Sequence, residues 1–570
     1  MKRYAITLFI SILLCSFCSA QDSRKNKLRD YFDLIERTGF SGQILIAENG
    51  QTIANAALGR IAHSTSQKVT ENTLFGIASM SKQFTAAAIG HLVQSKKLSF
   101  DSPLSAIFKN IPEDKLNITI HQLLTHTSGI PGGDLISDFE PLSKGELLKK
   151  IVTSELSFSP GEKWRYSNAG YNVLALIIEE VSGLSYEEYL TKYFFSPLKL
   201  DYTRIIGSGD WKGLSVAHAI NGSYDAGDTK KWKYNMRTLG GGNIASTVSD
   251  LQKWNESLEQ NTILKKRITD QLFTPHYQIS GNEYYGYGWF VFKKSDGATR
   301  LIEHGGDYEK GFNGGFYRFQ NPRLTILILS NKYEPAGAEL WTRWAVYYPI
   351  RDIMFNKNVG FDKVQLRLDE ITDISGSYAD EVGSNKLVIE KCGTSFRLEI
   401  SGGDLSDQFY AVHDTLRADL RRASQQTTAL VDELLKDNFE AFKVALKERA
   451  KVWDVFAEEW ENVVKVHGRV LHYEVLGSVA NNYNDGVKCF VRFHHERGIS
   501  AMSYGWMENG KGRLYGTSAM DNILLEMFIH LDANGKWRAY NLFEDSWETF
   551  EIQYTGSKIQ VGNIILNKLE

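Results

Sequence analysis

The chain has 570 residues, of which 42% are hydrophobic and 23% are charged, and its net charge at pH 7 is -3. This length implies more than one domain, and the composition is typical of a folded globular protein. The charge lacks the basic excess of a nucleic-acid-binding protein. The sequence contains no Walker-type phosphate loop and no cysteine and histidine cluster with zinc-site spacing, so it indicates neither a P-loop nor a zinc-finger protein.

The first 20 residues have the pattern of a secretory signal peptide. Lys2 and Arg3 form a basic start, residues 5–18 form an apolar run, and Cys18-Ser19-Ala20 offers a small-residue cleavage site. The apolar run is too short to span a bilayer comfortably. We therefore expect residues 1–20 to be removed and the mature chain to be secreted or periplasmic, without a membrane-spanning segment.

The mature chain is predicted to begin with an amphipathic helix over residues 23–37, followed by a β-hairpin. Two strand-like runs, 40–48 and 51–58, are joined by Asn49-Gly50, a dipeptide typical of two-residue hairpin turns. Later in the chain, residues 285–291 and 324–329 are rich in aromatic or β-branched residues, which predicts two further strands.

The first candidate catalytic pair is Ser79-x-x-Lys82, directly before residues 83–97, whose apolar stripe predicts a helix. Residues three apart on a helix share a face, so the lysine amine should lie beside the serine hydroxyl. A serine needs a neighbouring base to act as a nucleophile, and a lysine can be that base when its pKa is lowered. Alone, a serine and a lysine at this spacing often occur by chance.

The second candidate group, Tyr166-x-Asn168, comes just before residues 169–181, which read as a buried helix ending at Gly183. A lysine ammonium favours the phenolate of a tyrosine beside it, and an asparagine amide can bind both a lysine and a substrate carbonyl. For these two residues alone, the alternative is a core tyrosine and a helix-capping asparagine.

The third candidate group is His304-Gly305-Gly306, followed by Asp307. Glycines on a strand let a substrate backbone approach closely, although His304 alone is as consistent with a structural histidine. His126 is a further candidate base, but we expect it to hold a loop by hydrogen bonds. The glycines of residues 240–242 suit a tight turn or a backbone close to a ligand, with a helix starting at Ser249 or Asp250.

Taken together, Ser79-x-x-Lys82, Tyr166-x-Asn168 and His304-x-Gly306 resemble, in order and approximate spacing, the motifs of the serine β-lactamase-like family. They are most similar to its branch of class C β-lactamases, D-amino-acid peptidases and esterases. The resemblance covers roughly residues 25–355 and includes four accessory segments: 123–130, 159–183, 240–254 and 285–289.

This resemblance implies a β-lactamase/transpeptidase-like α/β (α+β) fold, in which an antiparallel sheet flanked by helices lies beside a helical subdomain. It also implies a serine hydrolase that forms an acyl-enzyme with an ester or amide, such as a D-amino-acid peptide or a small ester. Acylation followed by hydrolysis needs no metal or other cofactor, and we expect a small molecule or peptide as substrate and no nucleic-acid partner.

The resemblance also implies a role for each site residue. Ser79 would be the nucleophile, Lys82 and Tyr166 would share the work of general base, and Asn168 would orient Lys82 and the substrate. The backbone N–H groups of Ser79 and Asp307 would form the oxyanion hole. His304, Gly305 and Gly306 would contact the substrate.

One residue departs from the family pattern. β-Lactamases and many D-Ala-D-Ala peptidases carry a lysine at the position of His304, where it supports a substrate carboxylate. A histidine is often neutral at pH 7, which disfavours the alternative function of a β-lactamase or D-Ala-D-Ala carboxypeptidase. A further alternative is a non-catalytic protein that binds peptidoglycan fragments or a partner, but such a protein does not need a full catalytic set.

From about residue 365 the sequence changes character, and we predict a hydrolase domain over residues 21–360 and an accessory domain over residues 361–570. The second region has strand-like runs, then a helical stretch over 427–464, then more strands after Gly468. This order predicts a smaller α+β domain, with a weak resemblance to cystatin-like or nuclear-transport-factor-2-like domains.

Two pairs of residues in this region have no assigned chemistry. His494 and His495 alternate between the faces of one predicted strand, so we expect them to be structural or exposed. Cys392 and Cys489 remain after signal cleavage and either form one disulfide or stay as two buried thiols.

Overall fold

The structure of the chain is a computed structural model. It describes residues 23–37, 40–62, 65–132, 135, 142–208, 211–221, 224–228, 236–308, 311–333, 343–357, 359, 372–392, 395–410, 414–446, 457, 460–461, 463–465, 467–481, 486–507, 514–520, 525–531, 536–541, 546–550 and 552–569. The predicted signal peptide therefore lies outside the described residues. Within them, no helix is both long enough and apolar enough to cross a membrane.

The helices are numbered in chain order: α1 (23–37), α2 (Lys82–Gln94), α3 (Ile120–Leu124), α4 (Lys144–Val152), α5 (Asn168–Ser182), α6 (Tyr186–Leu190), α7 (Val248–Gln260), α8 (Lys266–Phe273), α9 (Arg343–Met354), α10 (Gly403–Tyr410), α11 (Asp414–Leu434) and α12 (Glu440–Leu446).

The strands up to residue 333 are β1 (Gly42–Glu48), β2 (Gln51–Leu58), β3 (Phe75–Gly76), β4 (Arg204–Ile205), β5 (His218–Asn221), β6 (Tyr224–Asp228), β7 (Ile244–Ser246), β8 (Tyr277–Ser280), β9 (Glu283–Tyr285), β10 (Phe290–Lys293), β11 (Thr299–Tyr308), β12 (Phe312–Gln320), β13 (Arg323–Ser330) and β14 (Lys332–Tyr333). The later strands are β15 (Gly376–Ala379), β16 (Lys386–Cys392), β17 (Ser395–Ser401), β18 (Val470–Asn481), β19 (Gly486–His495), β20 (Gly498–Trp506), β21 (Leu514–Met520), β22 (Leu525–Leu531), β23 (Trp537–Asn541), β24 (Ser546–Phe550), β25 (Ile552–Tyr554), β26 (Lys558–Val561) and β27 (Ile564–Lys568).

The chain forms two compact units. The first, here called the site unit, contains Ser41–Ile220 and Ala226–Tyr333 and includes every candidate site residue. The second, here called the C-terminal unit, contains Met1–Phe40, Asn221–Asp225 and Glu334–Glu570. The domain boundary predicted at residues 360 and 361 falls outside the described residues.

The site unit is built on an eight-stranded antiparallel sheet with the order β2-β1-β13-β12-β11-β10-β9-β8. The predicted β1–β2 hairpin is confirmed, and its turn residues Asn49 and Gly50 have φ angles of 53° and 81°. Such positive angles at both positions are those of the type I′ turn, whose twist matches that of the strands. Buried side chains of α2, α5 and α7 join those of the sheet in one core, in which Phe84 stacks on Trp254 with ring centroids 4.7 Å apart.

Two sequence predictions in the site unit need correction. The helix predicted over 83–97 spans Lys82–Gln94, and Ser79 lies before it in a 3₁₀ turn over Ala78–Ser81. The strand predicted over 285–291 is interrupted, because residues 286–289 leave the sheet. Gly288 has a φ of +76°, and a Cβ there would lie 2.7 Å from the carbonyl oxygen of Lys82. The interruption therefore brings the backbone against the start of α2.

The C-terminal unit has a nine-stranded sheet, of order β24-β23-β22-β17-β16-β15-β27-β26-β25, and a four-stranded sheet, of order β18-β19-β20-β21. The prediction of a single helical stretch over 427–464 is wrong, since α11 ends at Leu434 and α12 begins at Glu440. Asp437 lies in the break with a φ of 59°, a left-handed conformation that a continuous helix excludes. Cys489 is a buried free thiol, so it forms no disulfide with Cys392.

Candidate active site

The turn that carries Ser79 is held in an unusual backbone conformation. Ala78, the residue before it, has a φ of 45°, which costs a residue other than glycine about 1–2 kcal/mol. Strand β11 lies directly against this turn, because a Cβ built on Gly306 would be 2.1 Å from the Ile77 carbonyl oxygen and 3.2 Å from the Ser79 nitrogen. The His304-x-Gly306 motif is therefore adjacent to the Ser79 backbone, and only glycine fits at position 306.

Lys82 lies at the start of α2 with its amine beside the Ser79 hydroxyl. Its Nζ is 3.1 Å from Ser79 Oγ, 2.7 Å from Asn168 Oδ1 and 2.7 Å from the Gly241 carbonyl oxygen. The last two atoms can only accept hydrogen bonds, so they engage two N–H groups of the amine. The remaining hydrogen or lone pair of the amine therefore points toward Ser79.

The environment of Lys82 favours the neutral amine. The side chain is fully buried, and this desolvation lowers its pKa well below the usual value for lysine. A neutral amine has two N–H donors and one lone pair. Two of its three polar neighbours are obligate acceptors, and the third is a hydroxyl that can donate to the lone pair of the neutral amine or accept from the ammonium, so the contacts accommodate the lysine before and after it takes a proton.

Asn168 is positioned by the first turn of α5. The cap of this helix is Ser167, whose Oγ accepts a hydrogen bond of 3.0 Å from the Gly170 nitrogen. The alternative in which Asn168 caps the helix is therefore wrong. Its backbone nitrogen donates to the Gly132 carbonyl at 2.8 Å, and its side-chain oxygen is left to bind Lys82.

Tyr166 lies next to Lys82 and close to His304. The Lys82 Nζ is 4.8 Å from the centroid of the Tyr166 ring, and the ring centroids of Tyr166 and His304 are 6.3 Å apart. The structure therefore brings together all three motifs, which are separated by as much as 225 residues in the sequence, counted from Ser79 to His304.

His126 supports the loop that carries Tyr166 and Asn168, as the sequence predicts. Its Nδ1 accepts a hydrogen bond of 3.0 Å from the Ser167 nitrogen, and its carbonyl oxygen accepts one of 3.0 Å from the Arg165 nitrogen. Burial lowers the pKa of His126 well below its usual value. His126 is thus a neutral imidazole that binds the chain on both sides of Tyr166.

Replacing His126 should therefore affect stability more than chemistry. The substitution His126→Ala leaves the buried Ser167 N–H unsatisfied, which costs about 1–3 kcal/mol of unfolding free energy. His126→Asn should cost less, because asparagine tolerates the φ of 60° found here and carries an acceptor oxygen. Urea unfolding and kcat on one substrate would test both variants. A loss of kcat by 100-fold or more in a folded His126→Asn would make His126 a general base instead.

His304 is buried within β11, and protein groups occupy both of its ring nitrogens. Nδ1 is 2.6 Å from the Gly305 carbonyl oxygen and Nε2 is 3.2 Å from the Tyr285 hydroxyl. Since a carbonyl only accepts, Nδ1 carries a hydrogen. His304 is 2% exposed, so it does not present an open cationic group in the way that a lysine side chain would.

Sequence reasoning missed Gly241, Tyr285 and Tyr171 as parts of this site. Gly241 supplies the carbonyl that binds Lys82, and a Cβ on it would lie 3.3 Å from the Lys82 amine. The glycine run at 240–242 did indicate a close backbone approach, but it did not indicate which group the backbone approaches. Tyr285 binds His304, and the ring of Tyr171 lies 5.5 Å from the Lys82 amine. Both tyrosines lie in segments that read as core.

Comparisons with known proteins identify the family of this chain. The profile of the family described as Beta-lactamase matches residues 33–348. Penicillin-binding protein 4* of Bacillus subtilis (strain 168) is 28% identical over 338 residues, which cover 56% of this chain and 74% of that protein. The putative penicillin-binding protein PbpX of the same strain is 28% identical over 269 residues, which cover 47% of this chain and 66% of that protein.

Among solved structures, the D-amino acid amidase from Ochrobactrum anthropi SV3 in complex with L-phenylalanine amide has a TM-score of 0.50 to this chain. It is 20% identical, and the match covers 59% of this chain and 99% of the amidase. At this identity the match speaks for the fold alone. With the antiparallel sheet, its flanking helices and the family match, the expected fold class is confirmed.

Proposed function

The chain belongs to the β-lactamase family, and from this premise we propose that it is a serine hydrolase that acts through an acyl-enzyme on Ser79. One observation carries the proposal: the buried Lys82 amine lies 3.1 Å from Ser79 Oγ, with two obligate acceptors fixing its other sides. A desolvated lysine beside a serine is an arrangement that activates the hydroxyl. A protein that only binds its ligand has no use for it.

In the acylation step, the Lys82 lone pair takes the proton of Ser79 as Oγ attacks the substrate carbonyl. Asn168 Oδ1 and the Gly241 carbonyl stabilise the ammonium that results, because they already accept its other hydrogens. The negative charge on the substrate oxygen is met by the backbone N–H groups of Ser79 and Asp307. Such fixed donors are commonly worth about 3 kcal/mol each in the transition state.

Tyr166 is proposed to share the base role and to return the proton to the leaving group. Its ring centroid lies 4.8 Å from the Lys82 amine, which places the tyrosine in the site, and we expect its hydroxyl to reach the leaving atom when substrate is bound. Hydrolysis of the acyl-enzyme then repeats these proton transfers, with water in place of Ser79 as the nucleophile.

The substrate is proposed to be an ester or an amide of a D-amino acid or small acid, without a free carboxylate near His304. Carboxylate recognition needs an accessible cation or free donors. His304 is buried and its two ring nitrogens already contact Gly305 and Tyr285. A carboxypeptidase or β-lactamase would need a carboxylate-binding group elsewhere.

The basic, apolar and small-residue pattern of residues 1–20 supports action outside the cytoplasm.

A substrate panel tests this proposal directly. The chain should hydrolyse p-nitrophenyl acetate and D-alanyl p-nitroanilide, with the L-anilide as matched control. We expect a D-Ala-D-Ala peptide and a chromogenic cephalosporin to react about 100-fold more slowly, because the loss of one partner of a buried charge pair commonly costs about 2–5 kcal/mol. Faster reaction of the last two would favour the carboxypeptidase or β-lactamase alternative. Failure of the ester, the D-anilide, the peptide and the cephalosporin alike, with no covalent adduct on Ser79, would favour the non-catalytic binding protein.

Replacing Tyr166 by phenylalanine tests its part in proton transfer. We expect kcat for the anilide to fall by about 100-fold or more, which is the usual contribution of a general acid or base. The ester should be less affected, since p-nitrophenolate leaves without a proton. Single-turnover kinetics on both substrates would measure the difference. An equal loss on both substrates would indicate that Tyr166 acts before the leaving group departs and does not return its proton.

A further inference from the structure

A cluster of potential metal ligands lies in the C-terminal unit, outside the site described above. His472, Glu474 and His494 each offer one ligand atom, and these atoms lie within 4.8 Å of one another. His472 and Glu474 are two residues apart on β18, so their side chains share one face of the strand. His494 is the cross-strand partner of His472 on β19. The three side chains therefore meet through the pairing of two neighbouring strands.

The rings of the two histidines are stacked almost in parallel. Their centroids are 4.1 Å apart and their planes differ by 8°. His494 Nε2 is 3.6 Å from a carboxylate oxygen of Glu474, and this buried nitrogen makes no hydrogen bond in the structure. A buried polar atom without a hydrogen bond is costly unless another group binds it.

We propose that His472, Glu474 and His494 form a binding site for a divalent transition metal ion such as Zn²⁺. Two imidazoles and one carboxylate suit Zn²⁺ and its neighbours in the first transition series, whereas Mg²⁺ and Ca²⁺ prefer oxygen ligands alone. Ligands at about 2.1 Å from a tetrahedral ion lie about 3.4 Å apart. The 3.6 Å between His494 and Glu474 is near this value, so rotation of His472 completes three ligands and leaves the fourth position to water.

Two neighbouring cations set the affinity of this site. Lys386 and Arg492 lie 3.4 Å and 3.3 Å from the oxygens of Glu474, and Lys386 shares with His494 the oxygen that would bind the metal. Lys386 therefore competes with the ion for that oxygen. The competing explanation of the cluster is a protonated His494 paired with Glu474 and no metal site. Removing Lys386 separates the two, because only a metal site would gain affinity for Zn²⁺.

The test is isothermal titration of the full chain with Zn²⁺ after treatment with a chelator. Wild type should bind one Zn²⁺ at the cluster. His472→Ala and His494→Ala should each weaken the binding of this ion by at least about 100-fold. Replacing a residue that only hydrogen-bonds to a metal ligand already lowers metal affinity by about 10- to 100-fold, so removing a ligand itself should cost at least as much. Lys386→Met should tighten binding by up to about fivefold, the range of a partly exposed ion pair.

A matched control is His467→Ala, which removes a histidine of the same unit outside the cluster. It should bind Zn²⁺ as wild type does, and circular dichroism should show that every variant is folded. Zn²⁺ should also raise the melting temperature of wild type and His467→Ala but not of His494→Ala. Failure of wild type to bind Zn²⁺, or equal affinities in all histidine variants, would overturn the proposal.

Discussion

Replacing Ser79 by alanine should abolish turnover and leave the protein folded. The substitution removes the atom that forms the acyl-enzyme, and losses of a catalytic serine are on the order of 10⁴-fold or more. Stability should change little, because Lys82 keeps its bonds to Asn168 and the Gly241 carbonyl. The measurements are kcat on p-nitrophenyl acetate and the intact mass after incubation with a fluorophosphonate.

Ser81 provides the matched control for this experiment. It lies two residues from Ser79 in the same turn, but its Oγ accepts a hydrogen bond of 3.2 Å from the Ile244 nitrogen instead of facing Lys82. Ser81→Ala should therefore keep the single fluorophosphonate adduct that Ser79→Ala loses. Retained turnover in Ser79→Ala, or an adduct on that variant, would refute the mechanism.

The chemistry of the site could be predicted from the sequence because the three motifs combine local spacing with a known order. Ser79 and Lys82 are one helical turn apart, so their proximity is a local property. The other contacts of Lys82 depend on the fold and not on local spacing. The Gly241 carbonyl is a backbone atom that carries no side-chain signal, and only the fold brings it within 2.7 Å of the amine.

Local geometry also explains the elements that were predicted wrongly. The strand over 285–291 breaks because Gly286 and Gly288 permit a close approach to neighbouring backbone, which composition does not reveal. The helix over 427–464 breaks at Asp437, where a tertiary arrangement overrides a helical pattern. The cluster of His472, Glu474 and His494 depends on the β18–β19 register, which contains two irregularities. A slip of one residue would turn these side chains to the other face.

Replacing Lys82 by arginine should reduce kcat by about 10³- to 10⁴-fold, the second large effect expected at this site. An arginine stays protonated in a protein, so it cannot act as the base. In wild type, burial lowers the Lys82 pKa, and the reactive form is the neutral amine. The rate of acylation should therefore rise with pH through this lowered pKa and fall as acid protonates the amine. In Lys82→Arg this acid limb should disappear together with most of the activity.

Lys115 is the matched control, since it is another buried lysine of the site unit, where it pairs with Asp114 instead of Ser79. Lys115→Arg should keep both the rate and its acid limb. If Lys82→Arg retained more than about a tenth of the wild-type kcat, Lys82 would be a fixed charge, and the base would have to be Tyr166 alone. The pH profile of Tyr166→Phe then distinguishes the two bases. An acid limb that survives in Tyr166→Phe belongs to Lys82, because the phenol is gone and the buried amine is the group left beside Ser79.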